Sequence, residues 1–340
     1  MSRVPEIDLA KGIGIVLVAL GHSPLWETLG LPWVKDVIFS FHMPLFLFLA
    51  GLHLPVHRRL PEILSRRARS VLLPYALGCL AFLLDQFRSD PWLVLAGRLL
   101  WAGGQSLAWP WSPLWFLPHL FAATTLAVLV VKAWARTGLA GWKWPCLLLL
   151  LLYGGQRILA WETASDWEFF DRSFGVVGLP WSLDLIPFSL VFLLAGHLWG
   201  QDALLQLRRP AVGIVSLLAF GVVQWRFGWT LDLNLRTYGE LGGSTLAAFL
   251  GIASVLALAS GTAGLPEGIS RGVQSLGRAS LWILMAHVWI TCQVCSHGKP
   301  KPAWLLQALA TGAGILLPLG AFRLQELFKN RPSRQGTLTA

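Results

Sequence analysis

Charge is what this chain has least of. Only 13% of its 340 residues are Asp, Glu, Lys or Arg, about half the share usual in a soluble domain. Just 17 residues are acidic. So thin a supply of charge cannot cover a soluble fold of this length and excludes that class. Cysteine is scarce too, and of the four only Cys292 and Cys295 stand close, in CQVC with His297 just beyond. An i,i+3 pair on a helix has poor geometry for a disulfide, so no redox or metal role is assigned to it. No internal repeat or second homologous half is visible. One domain is therefore expected over residues 1–328, with 329–340 as a disordered cytoplasmic tail. The first apolar run carries Asp8 and Lys11 and lacks a cleavage pattern, so it reads as a span and not as a signal peptide.

Hydrophobic residues make up 55% of the chain, and 19 tryptophans suit interfacial belts. Ten apolar runs are legible, at about 8–26, 37–56, 71–88, 113–132, 145–160, 179–199, 211–228, 243–262, 279–297 and 303–323. The expected fold is all-α, a polytopic transmembrane bundle of about ten spans with both termini cytoplasmic. The formal net charge of +10 does not point to nucleic acid. With the N-terminus inside, 18 of the 27 Lys and Arg fall on the inner side and 9 on the outer. That is the positive-inside bias of a membrane protein.

The stretch Asp8–Gly51 carries groups that hydrocarbon rejects: Asp8, Lys11 and His22 in its first half, His42 in its second. An ionisable side chain there costs roughly 2.5–3.5 kcal/mol or more, so it marks function by default. Positions 8, 11, 15, 18 and 22 form one helical stripe. Lys11 and His22 differ by only about 20° around the helix and lie about 16 Å apart along it. Gly12, Gly14 and Gly21 beside the stripe permit close approach of a helix or ligand.

The most charged loop, HRRLPEILSRRARS at 57–70, precedes the third run. It reads as a retention signal that binds anionic lipid headgroups. Arg66 and Arg69, one turn apart, also suit a polyphosphate. Residues 111–121, WSPLWFLPHLF, place Trp115 and His119 at the start of the fourth run, either in an aromatic belt or lining a cavity. Asp184 enters the sixth run in LPWSLDLIP and needs a cation or an imidazole as partner. His287 lies near the middle of the ninth run, LGRASLWILMAHVWI. The seventh and eighth runs are chemically quiet and read as scaffold.

In order along the chain, IDLAKGIGIVLVALGH, SFHMPLFLFLAG, RRAR, PLWFL, LPWSLD and LGRASLWIL resemble landmarks of the acyltransferase-3 family of membrane O-acyltransferases. The likeness is to its fucose-4-O-acetylase-like branch. The resemblance implies transfer of an acyl group, most often acetyl, from acyl-CoA at the cytoplasmic side to a hydroxyl of a carbohydrate or lipid-linked glycan. It also implies a multi-pass protein of a bacterial inner membrane, in contact with membrane lipids and using no metal. His22 then becomes the essential histidine, Lys11 its basic partner, and Arg66 with Arg69 the family's Arg-x-x-Arg pair. The chemistry of the residues agrees: an imidazole suits a general base near neutral pH, Asp184 is expected to orient one, and the Arg66, Arg67 and Arg69 cluster suits the coenzyme A phosphates of acetyl-CoA. His42, Trp115 and His287 are the expected substrate contacts. The chain departs from the family pattern at Ala50, where serine is more usual before Gly51. A transporter or flippase for a polar or lipid-linked sugar would also explain intramembrane His, Asp and Lys. Against it stand the missing inverted repeat and the single arginine cluster. A non-catalytic membrane partner would leave the Lys11–His22 stripe unexplained.

Overall fold

A computed structural model describes residues 4–87, 89–107, 109–164, 178–262, 264–298 and 302–329. The expected tail beyond 329 and the acidic outer-loop residues Asp166, Glu168 and Asp171 lie outside the described residues.

Every apolar run becomes helix, because hydrocarbon offers backbone N–H and C=O groups no partner except one another. The first is α1, Pro5–Gly21. Pro5 has no N–H to leave unpaired in the first turn, and Glu6 and Asp8 complement the positive helix end. Short helices α2 (Leu25–Thr28) and α3 (Trp33–Phe39) lead into α4, His42–Gly51. The arginine loop forms α5 (Leu60–Arg67) and runs through one π-helical turn, Ala68–Leu72, into α6 (Leu73–Gln86). Next come α7 (Trp92–Trp101), α8 (Phe116–Thr137) and α9 (Trp144–Ala164). Then follow α10 (Ile186–Leu207) and α11 (Pro210–Phe227). A two-stranded antiparallel hairpin, β1 (Leu231–Asp232) with β2 (Thr237–Tyr238), connects α11 to α12, Leu241–Thr262. The chain closes with α13 (Glu267–Arg278), α14 (Ser280–His297) and α15 (Ala303–Lys329).

Among the described residues eight spans are long and apolar enough to cross a membrane, or nine when α13 and α14, bent by 78° at Ala279, count as one. With 17 residues, α1 covers about 26 Å at 1.5 Å per residue and supplies the remaining run. The most buried span is the one holding α10, and the least is α11. Leu193, Leu194, Phe188 and Phe192 of α10 are sealed from solvent, whereas Ile214, Val215, Leu218 and Val222 of α11 face outward. In a bundle of this kind the outward apolar face belongs to lipid.

Two crossings hold the bundle together at backbone contact. A Cβ on Gly12 of α1 would come 2.1 Å from the Val273 carbonyl of α13, and one on Gly277 would come 1.9 Å from the Asp8 carbonyl. The same happens where α4 meets α10: a Cβ on Gly51 would lie 2.1 Å from Leu193 O, and one on Gly196 2.0 Å from Phe48 O. Small residues at such crossings gain close van der Waals packing where no hydrophobic drive between helices exists. At one end of α1, Ser23 Oγ meets Thr311 Oγ1 of α15 at 2.7 Å. Toward the other, Arg323 of α15 donates to Ser275 of α13 at 3.1 Å. Helices α1 and α15 therefore run antiparallel, with residues 4 and 329 toward the same end of the bundle.

Adding a methyl at the α4–α10 crossing should force the helices apart. Gly196→Ala is expected to cost about 1–3 kcal/mol, read by reversible denaturation in mixed micelles. Gly221→Ala on α11, where nothing lies within 4 Å of the added carbon, should be neutral or slightly stabilising.

Candidate functional site

Three irregular turns interrupt the spans, and two of them, with the end of α1, build one site. Helix α1 stops at Gly21, with His22 capping it. The break at Ser40 and Phe41 puts His42 at the first position of α4. The bend at Ala279 aims α14 so that His287 arrives beside His22. The ring of His22 lies 5.2 Å from that of His287 and 6.4 Å from that of His42, centroid to centroid. Phe39 packs on His22 at 5.3 Å, and the indole of Trp109 stacks on it at 6.3 Å with 24° between planes.

All three imidazoles are locked in the same way. His22 Nδ1 donates to Val18 O at 2.9 Å, His42 Nδ1 to Ile38 O at 3.2 Å and His287 Nδ1 to Ile283 O at 2.8 Å. A carbonyl can only accept, so each Nδ1 carries the proton and each neutral ring presents a lone pair on Nε2. The Nε2 of His287 is buried and has no partner among the described residues. Among the described residues no group of three or more His, Cys, Asp or Glu is placed to hold a metal ion.

A cavity of about 820 Å³ opens beside the cluster. Gly21, His22, His42 and Met43 form one side of it, and Trp109, Ser112, Trp115 and Phe116 another. Asp232 and Asn234 of the hairpin, Cys292 and Cys295 of α14, and Gln307 of α15 complete the wall. Glu27 and Lys35 stand at 2.5 Å from each other on its rim. Two amide oxygens behind this wall, Asn234 Oδ1 and Gln307 Oε1, are buried and have no partner among the described residues. Gly104 is needed here, since a Cβ would fall 1.4 Å from Asn234 Oδ1 and 2.9 Å from Trp115 Cδ1.

The residues singled out in the sequence are distributed as follows. His22, His42, His287 and Trp115 meet at or beside the cavity. Lys11 does not join them; it is half-buried near Asp8, about three turns back along α1. Arg66 is exposed and paired with Glu62 at 3.2 Å, and Arg69 is exposed. Arg67, between them, is half-buried, and its Nε is enclosed without a partner among the described residues. The inward-facing arginine is thus the middle one.

Asp184 belongs to a different assembly, which corrects the expectation that it orients an imidazole of this cluster. Its two carboxylate oxygens accept from Arg236 at 2.9 and 3.2 Å and from the Leu179 N–H at 2.9 Å. Glu162 stands 3.9 Å from the same guanidinium. The histidine nearest this assembly is His119. It donates from Nδ1 to Trp181 O at 3.1 Å and accepts at Nε2 from Ser189 Oγ at 2.7 Å. One nitrogen holds the third irregular turn, in which Trp181 and Ser182 adopt left-handed φ of 57° and 53°, and the other is spent on α10.

The family model described as an acyltransferase domain matches residues 4–323. The chain belongs to the acyltransferase-3 family. No curated protein and no solved structure matches it. The match covers nearly the whole chain, so this membrane acyltransferase domain includes both the histidine cluster and the arginine loop. Sequence reasoning missed Trp109, Asp232, Asn234 and Arg236. A signal was present for Arg236, because a carboxylate at Asp184 demanded a cation. For the hairpin, the alternation in LDLNL buries Leu231 and Leu233 and leaves Asp232 and Asn234 to the cavity.

Removing Asp184 alone strands a buried guanidinium. Asp184→Asn is expected to cost about 3–5 kcal/mol of stability, and pairing it with Arg236→Met should recover most of that loss. Denaturation midpoints of the single and double variants decide between a structural ion pair and a reacting carboxylate. A double variant that regains stability and keeps its turnover assigns Asp184 to structure.

Proposed function

We propose that this acyltransferase moves an acyl group, acetyl being the expected one, from acyl-CoA to a hydroxyl of a carbohydrate or glycan acceptor, with His22 as general base. The observation that carries this reading is the meeting of three Nδ1-locked imidazoles beside one cavity. A sugar hydroxyl is a weak nucleophile and needs a base as it attacks. In the reaction His22 Nε2 takes the hydroxyl proton while the oxygen bonds to the thioester carbonyl carbon. The C–S bond then breaks, and the departing thiolate takes the proton back from the imidazolium. During the interval when His22 carries two protons, the lone pair of His287 Nε2 beside it helps to hold that charge.

The donor is assigned to the arginine loop. Coenzyme A presents several phosphate charges at one end, and the loop brings three guanidinium groups together, of which Arg67 has no partner for its Nε among the described residues. Arg66 is already engaged with Glu62 and contributes less. The distance of about 16 Å from Lys11 to His22 along α1 is comparable to an extended pantetheine arm. Lys11 is therefore read as a basic group along the donor path and not as a partner of His22. The positive-inside division of Lys and Arg supports a cytoplasmic arginine loop and cytoplasmic termini, with the cavity at the outer face of a bacterial inner membrane. The resemblance to fucose-4-O-acetylase-like sequences supports a sugar acceptor over other alcohols.

His22→Gln keeps a hydrogen-bonding side chain but cannot take up a proton near neutral pH. It should fold, bind acyl-CoA and lose at least about 10²-fold in transfer rate. The wild-type rate should also fall on the acid side, because a protonated imidazole accepts nothing. Near-normal turnover of His22→Gln would sink the assignment.

The donor assignment has its own check. Arg67→Ala should weaken acyl-CoA binding at least about tenfold and more than Arg66→Ala does, with Arg67→Lys restoring only part. Equal binding by wild type and Arg67→Ala, measured by titration with a non-hydrolysable acyl-CoA, would reduce the loop to a topology signal.

A further inference from the structure

The acceptor side of the cavity is built by the β1–β2 hairpin, which is clamped to the bundle from three directions. Arg236, in a left-handed conformation at φ 58°, turns back to the buried Asp184. Asn234 Nδ2 donates to Ser112 Oγ at 3.3 Å, and Gln105 Nε2 donates to Asn234 O at 3.4 Å. The Asp232 Oδ1 is held by the Leu235 N–H at 3.0 Å. Residues fixed this firmly on a cavity wall are pre-organised for a ligand, since nothing remains to be ordered on binding.

Charge defines what that wall fits. Glu27 and Lys35 cancel as a close pair, the hydrogen bond from Lys35 holding the Glu27 carboxyl below its ordinary range. Among the described residues Asp232 forms no ion pair, and burial holds its carboxyl above the ordinary carboxylate range; once ionised it leaves the cavity wall negative in a chain that is otherwise basic.

Resting on the carbohydrate reading above, we infer that the acceptor this cavity takes is an uncharged or amino sugar, held at the Asp232–Asn234 face of the hairpin, and that sugars bearing a carboxylate are turned away. A carboxylate brought beside Asp232 meets a like charge in a partly desolvated site, which costs several kcal/mol. A ring hydroxyl or an ammonium meets an acceptor. The selectivity resides in the hairpin and leaves the chemistry at His22 untouched.

Equilibrium binding of radiolabelled probes to the purified full-length protein tests this, using the neutral methyl glycoside, the 2-amino sugar and the uronate in matched gluco, galacto and manno series. In at least one series the neutral or amino sugar should bind at least about tenfold more tightly than the uronate. Asp232→Asn should narrow that gap and weaken the amino sugar in particular. Asn234→Asp, which adds a second carboxylate at the same face, should widen it and serves if Asp232→Asn does not fold. A uronate bound as tightly as its neutral counterpart, or a gap that neither variant moves, overturns the inference while leaving sugar transfer standing. Failure of every sugar to bind, with acyl-CoA still bound, overturns the carbohydrate reading along with it.

Discussion

Helix α13 lies against α1 at a distance that only two glycines permit. Gly12 faces the Val273 carbonyl and Gly277 faces that of Asp8, each at a separation where a single methyl would collide with backbone. That contact fixes where α13 ends, and the 78° bend at Ala279 then determines the direction of α14. His287 reaches His22 as a result, and Leu284, Val288 and Thr291 reach the cavity. The basic cluster is thus positioned by packing some two to three turns away from it. Close backbone approach is the form such positioning takes in lipid, where apolar side chains gain nothing from merely meeting one another.

The same solvent explains how the polar groups are handled. Each histidine of the cluster spends one nitrogen on the carbonyl four residues earlier, which removes the cost of an orphaned N–H and leaves the other nitrogen basic. His119 spends both nitrogens, and its surroundings are accordingly structural. The ion pair of Asp184 with Arg236 and the left-handed turn at Trp181 and Ser182 form a rigid knot beside the hairpin. The histidines thus differ in whether a lone pair is left over.

Much of the architecture was legible beforehand. The ten apolar runs all become helix, and the stripe through Asp8, Lys11, Ile15, Val18 and His22 lies on α1, because helical periodicity is a local property. Asp184 was recognised as needing a partner for the same reason, a rule about one carboxylate in hydrocarbon. Its partner was not recognised, since Arg236 lies 52 residues further on, in a loop between two spans that had seemed inert. The arginine loop was read by spacing, which favoured Arg66 with Arg69; the enclosed side chain is Arg67, selected by the way α5 and its π-helical turn pass into α6.

What the sequence by itself determined is therefore the class of molecule and its elements: a helical membrane protein, its spans, and the intramembrane ionisable groups that demand an explanation. Periodicity and composition suffice for these because lipid leaves the backbone no alternative to helix. Only the tertiary structure decided which of those groups share a site. His22, His42 and His287 stand on three helices separated by 20 and 245 residues, and their meeting depends on two breaks and a bend whose angles no local pattern encodes. The hairpin that presents Asp232 and Asn234 likewise takes its place from the Arg236–Asp184 pair, a contact between distant segments and hence invisible along the chain.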